Sequence, residues 1–171
     1  MQLKQRLREL HKLAAETIER LYRNDLEKQY YQLANHYEKA EITKKAIEYL
    51  EKAGNSAKNN YQNEQALNFY NKLLNIIGKN KDHKVMEVET LIKKGQILKL
   101  VGKWDKAKMN FEKALSLAKK IKDKDCLFKA NGGLGKLFLD KGDYKSASKH
   151  YQKQLKYANL LANKRFLAVT Y

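Results

Sequence analysis

The run Gly132-Gly133-Leu134-Gly135-Lys136 is where this sequence comes nearest to a phosphate-binding loop. Such a loop cradles phosphate oxygens with backbone N–H groups and sets a lysine on the outer phosphates. A hydroxyl residue then follows for magnesium. Here Ala130 stands where the first glycine belongs, Leu137 follows the lysine, and the flanking apolar residues recur at helical spacing. The run therefore argues against nucleotide binding. Two extra glycines inside a helix cost roughly 2 kcal/mol relative to alanine. They call for a neighbouring helix, or a ligand backbone, pressed against them, and packing is the preferred reading.

The other reactive residue types do not assemble. His11, His36, His83 and His150 are scattered, with no i, i+4 pair of the kind a helical zinc site shows. His36, beside Tyr37, reads as packing. Cys126 stands near an expected helix start, where a thiol pKa can be lowered, but no histidine is near it in sequence. It reads as an ordinary buried or half-buried thiol. The acidic pairs Glu48/Glu51 and Asp140/Asp143 lie on lysine-rich stretches and read as solvated surface. No nucleophile, base and oxyanion donor come together, so no catalytic residue, metal or cofactor is expected, and the chain is expected not to be an enzyme.

The composition agrees with a helical framework. The 171 residues include 43% apolar types, enough for a core, and no proline. One cysteine excludes an internal disulfide and a multi-cysteine zinc site. No apolar run approaches a membrane span, and the start, MQLKQRLREL, has no apolar signal core. A cytoplasmic protein is expected. The net charge of +17 is uneven: residues 1–92 carry 16 basic and 13 acidic residues, whereas residues 93–171 carry 20 and 6. Electrostatic attraction of a partner thus belongs to the C-terminal half. Only five of the basic residues are arginine, the type favoured for bidentate phosphate and base contacts.

An internal repeat organises the chain. Residues 95–115 align without a gap on 135–155, at a spacing of 40. Gly95, Gly102, Trp104, Ala107 and Phe111 fall on Gly135, Gly142, Tyr144, Ala147 and Tyr151. One step earlier, at 41, Gly54, Ala66 and Tyr70 fall in register. Each unit reads as two amphipathic helices joined at a glycine that tolerates positive φ. Gly95 and Ala107, like Gly135 and Ala147, let the two helices approach closely, and the aromatics fill the gap to the next unit. Eight helices are expected, over 3–23, 26–40, 43–59, 62–77, 85–101, 104–121, 125–141 and 144–160, with Gly78–His83 as the flexible joint. The whole is expected to be one helical repeat domain, 1–171. It comprises an N-terminal helix in 1–27, degenerate repeats in 28–83, full repeats in 84–122 and 123–160, and the start of a further helix in 161–171. That last stretch stops where a new repeat would begin, so a fragment of a longer protein is expected.

This pattern resembles the tetratricopeptide repeat, through Leu134-Gly135, Phe138, Gly142-Asp143-Tyr144, Ala147 and Tyr151. Residues 91–115 match nearly as well, with Lys94 in place of a leucine. Residues 33–53 match through Leu33-Ala34, Tyr37, Ala46, Leu50 and Ala53, with Glu41 in place of the turn glycine. The resemblance implies an all-α fold, a right-handed solenoid of antiparallel helix pairs. More loosely, residues 7–74 resemble the segment after the ATPase module of large signalling ATPases and nucleotide cyclases of the soluble adenylyl cyclase type. The residues concerned are Leu10-His11, Ile18-Glu19, Leu33 to Tyr37 and Lys45 to Leu50. Any ATPase or cyclase domain would then lie outside this chain.

In such arrays the first helix of each pair lines a groove that receives a peptide or helix. The faces opposite the packing residues place Ile92, Lys93, Gln96 and Lys99 from one helix, and Lys129, Gly132, Gly133, Lys136 and Asp140 from the next, on that lining. The expected function is a protein-interaction scaffold whose groove takes an acidic or C-terminally carboxylated segment. The alternatives are a stand-alone basic adaptor and, less favoured, a nucleic-acid binder. Self-association through an uncapped C-terminal face near Tyr157, Leu160 and Leu161 is a further possibility.

Overall fold

In a computed structural model, residues 2–161 are described, and every regular element among them is helical. The further helix expected over 161–171 falls, from residue 162 on, outside the described residues. The chain divides into two compact units, Met1–Lys79 and Asn80–Tyr171.

The first unit holds α1 (Gln2–Leu21), a 3-10 turn (Leu26–Gln29), α2 (Tyr30–Lys39), α3 (Thr43–Asn59) and α4 (Asn63–Ile77). The helix expected over 26–40 thus opens as a tighter turn. Asp25, at its cap, makes no capping bond; its carboxylate is held instead by Lys28 at 2.7 Å. The first N–H groups are left to 3-10 pairing. Ala46, Leu50, Ala53 and Ala57 of α3 recur at helical spacing and are buried against α2 and α4. The Tyr70 ring of α4 lies over Gly54, where a Cβ would come within 2.6 Å of it.

α1 is attached differently. Ala15 is its one buried residue among those described, and polar contacts do the rest. Glu19 accepts from the Tyr37 hydroxyl at 2.8 Å, the Lys45 ammonium at 2.7 Å and the Tyr49 hydroxyl. Burial alone would raise the Glu19 pKa, but these three donors outweigh it and hold the carboxyl below its usual range. The Tyr37 and Tyr49 rings stack with centroids 5.5 Å apart, and Lys45 lies over both. Arg8 pairs with Glu41, and Nδ1 of His11 stands 3.0 Å from Nδ1 of His36.

The second unit opens with a 3-10 turn, Lys81–His83, in the segment expected to be a joint. It continues through α5 (Lys84–Leu100), α6 (Trp104–Ile121), α7 (Lys124–Asp140) and α8 (Tyr144–Leu160). α5 packs on α6, α7 on α8, α6 on α7, and α5 also touches α7. The Phe111 ring of α6 enters a notch between two glycines, Gly95 of α5 and Gly133 of α7. A Cβ there would come within 2.8 and 2.6 Å of the ring. Gly135 receives Tyr151 in the same way, at 2.8 Å. Buried Thr90 and Asn131, 41 residues apart, each donate to the carbonyl four residues back, at 2.7 and 2.8 Å. Asp123 and Asp143 cap α7 and α8 by accepting from the N–H groups of Cys126 and Ser146.

The turns follow the repeat more strictly than the glycines do. Gly102 and Gly142 have φ of 74° and 79°, and Glu41, Tyr61 and Lys122 take the same left-handed conformation at 57°, 58° and 56°. Tyr61 is 41 residues before Gly102 and 81% exposed, so it is strained with nothing packed on it.

Three outcomes follow. Tyr61→Gly should stabilise by about 0.5–1 kcal/mol, strain relief exceeding the extra freedom of the unfolded chain, read by urea unfolding. Gly133→Ala should destabilise by about 1–3 kcal/mol, because the ring must move and alanine's helix preference recovers only part. The His36 and His150 pKa values are both lowered, by burial first, then by His11 and Lys39 for His36 and by Lys153 and Lys149 for His150. The unfolded chain therefore binds these protons more readily. Their contribution is complete above about pH 6.5 and is lost as pH falls below it. The thermal midpoint should drop between about pH 7.5 and 5.5, and His36→Gln with His150→Gln should flatten that slope.

Candidate functional site

Four of the residues expected on the lining, Lys99, Lys129, Lys136 and Asp140, make ion pairs on α5 and α7. Lys99 of α5 meets Asp140 of α7 at 2.5 Å, and Lys136 reaches the other oxygen of the same carboxylate at 3.1 Å. Lys129 of α7 meets Glu89 of α5 at 2.7 Å and Asp125 at 2.6 Å. These contacts form two three-membered clusters across the helix pair. Hydrogen bonding to Lys99, then to Lys136, holds the Asp140 carboxyl below its usual range. Burial alone would lower the Lys129 pKa, but the bonds to Asp125 and Glu89 outweigh it and raise it. Lys93 is half-buried and Gln96 exposed on α5.

Three of the nine expected lining residues sit otherwise. Ile92 is only 6% exposed and belongs to the core. Gly133 turns its Cα toward Phe111, and Gly132 faces Gln154, whose amide nitrogen would lie 2.5 Å from an added Cβ. Both glycines serve helix packing, which also accounts for the run that looked like a phosphate loop: it lies inside α7, with Lys136 committed to Asp140. Two carboxylates of the face, Glu89 and Asp125, escaped the sequence reading. Glu89 precedes Lys129 by 40 residues, one repeat length, and Asp125 precedes it by four, one helical turn; these spacings were the available signal.

Elsewhere the structure rearranges the reactive groups. His11 and His36, distant in sequence, become neighbours, while His150 stacks on Phe138 and bonds Asn131 at 3.1 Å. No group of three or more histidine, cysteine, aspartate or glutamate side chains able to hold a metal ion occurs among the described residues. Cys126 is buried, and its thiol is pushed up to about 12 by burial and by the Asp123 carboxylate. The helix start therefore does not lower it, and it is an inert thiol. No helix among the described residues is long and apolar enough to cross a membrane.

Residues 86–159 match the family model of the tetratricopeptide repeat. A comparison with curated proteins gives no match. Among solved structures the chain is similar to BtubC (BKLC) from P. vanneervenii, with 18% identity and a TM-score of 0.59. That match covers 91% of this chain and 74% of the other. It is also similar to two structures of MamA, each at 19% identity. One has a TM-score of 0.54 and covers 93% of this chain and 95% of the other; the second has 0.52, with 93% and 88%. At these identities the likeness shows the fold alone. Residues 86–159, which span nearly all of α5 to α8, therefore carry tetratricopeptide repeats.

Proposed function

We propose that this chain is a non-catalytic interaction scaffold whose α5–α7 face receives an acidic or C-terminally carboxylated segment of a partner protein. Tetratricopeptide repeats bind protein partners, which sets the general class. The observation that carries the finer reading is that Lys99, Lys129 and Lys136 already hold carboxylates at 2.5–3.1 Å on that face. A partner's carboxylates would take over the same lysines in the geometry they already adopt. Asp140, Glu89 and Asp125 act as placeholders that swing aside. Recognition proceeds by exchange of ion pairs at short range.

On the resemblance of residues 7–74, the scaffold would serve as a regulatory arm of a larger signalling ATPase or nucleotide cyclase. A reading frame that continues upstream of Met1 into such a module is the expected outcome of sequencing the native transcript. A stop codon directly before Met1 would turn the reading to a stand-alone adaptor.

The face itself is tested with a labelled, glutamate-rich peptide bearing a free carboxy terminus. Lys93→Glu together with Lys136→Glu should weaken its binding by roughly tenfold or more and remove its salt dependence. Unchanged affinity would sink the assignment. A random oligonucleotide titrated across a salt series is the control. Tighter binding to it than to the peptide, falling steeply with salt, would favour a nucleic-acid ligand instead.

A further inference from the structure

Among the described residues, only one face of α1 is used. Arg8, His11, Ala15 and Glu19 turn toward α2 and α3. Leu3, Leu7, Leu10 and Leu21 share another face with Ala14, within about 60° of one another at 100° per residue. These leucines are 54–77% exposed. Leu13, 61% exposed, borders the stripe. The spacing, 3, 7, 10, 14 and 21, is that of a helix–helix seam, yet no described element covers it.

The free edge of the stripe is basic. Arg6 and Arg20 lie along it, both exposed, and neither has a hydrogen bond or ion pair among the described residues. The acidic residues of α1 are committed elsewhere: Glu9 to Gln5 at 3.3 Å, Glu16 to Lys12 at 3.8 Å, and Glu19 to Lys45 and the two tyrosines. A second copy of this chain is a poor occupant. Antiparallel pairing of two stripes would bring Arg6 and Arg20 of one copy against the same arginines of the other. Parallel pairing would drive that edge into the side where α1 meets α2.

We propose that the α1 stripe docks an amphipathic helix of a partner protein, one whose apolar residues recur at three- and four-residue spacing and whose flanks carry aspartate or glutamate. Apolar burial along the seam supplies the attraction, and the arginine edge selects the flank. This surface lies in the first unit and does not rest on the α5–α7 assignment.

Two labelled peptides of three leucine heptads test it against the full chain, one flanked by glutamate and the other by lysine. The glutamate-flanked peptide should bind roughly tenfold or more tighter. Leu7→Gln with Leu10→Gln should abolish that binding while circular dichroism stays unchanged, since neither side chain is in the core. Arg6→Glu with Arg20→Glu should transfer the preference to the lysine-flanked peptide, and this result stands even if the leucine variant loses helix. Equal affinity for the two peptides would overturn the proposal. So would binding that survives the leucine substitutions, or a dimer in sedimentation that those substitutions disperse.

Discussion

The edge of the Phe111 ring is the point on which the second unit is assembled. The ring is 1% exposed and enters between Gly95 and Gly133, so α5, α6 and α7 meet at one aromatic side chain. A side chain on either glycine would hold a helix off the ring, and the dispersion contacts of a close-packed aromatic fall away over a fraction of an ångström. The same contact brings α7 alongside α5. Once the two are that close, residues one repeat apart face each other, which is why Lys99 finds Asp140 and Lys129 finds Glu89. The charged face is thus a consequence of the notch, two steps removed.

Much of this was legible from spacing. The close approach expected at Gly95 and Gly135 is present, but each of these glycines, like Gly54, sits under an aromatic of its own helix pair, Phe111, Tyr151 and Tyr70, where the spacing had sent the aromatics to the next unit. Those pairings depend on a helix pair's own register, which the sequence carries locally. The helix boundaries came through for the same reason, apart from the 3-10 opening at Leu26–Gln29. What did not come through depends on neighbours. Tyr61 adopts the left-handed turn with no glycine to announce it. The Glu19 hub joins α1, α2 and α3, and no periodicity within one helix points to it. Ile92, Gly132 and Gly133 were misplaced because a helix buried on more than one side has no simple inside and outside; α5 and α7 are such helices.

Charge shows the same contrast between composition and placement. The C-terminal half looks like a field of lysines when counted. Placed, several of them are already opposite carboxylates, across helices at Lys99, Lys129 and Lys141 and within one helix at Lys136. These pairs are partly solvated, and exposed ion pairs are each worth little, roughly 0–1 kcal/mol. In the proposed recognition their effect would be larger than their effect on stability. A carboxylate already in place fixes the lysine's rotamer and lowers the ordering cost for any carboxylate that replaces it.

The two candidate surfaces therefore ask different things of a ligand. At the α5–α7 face, a newcomer gains only the difference between its own carboxylates and the resident ones, so affinity is sensitive to how many lysines it engages at once. A single acidic residue would exchange one pair for an equivalent pair and gain almost nothing. A run of acidic residues, or an acidic residue beside a free carboxy terminus, engages Lys99, Lys129 and Lys136 together and orders its backbone once for all three. At α1 no described residue covers the leucines, and burying a leucine contributes whether or not the charges match. As proposed, the first surface would discriminate by charge count. The second would take an apolar helix, with the arginines along one edge excluding the wrong ones.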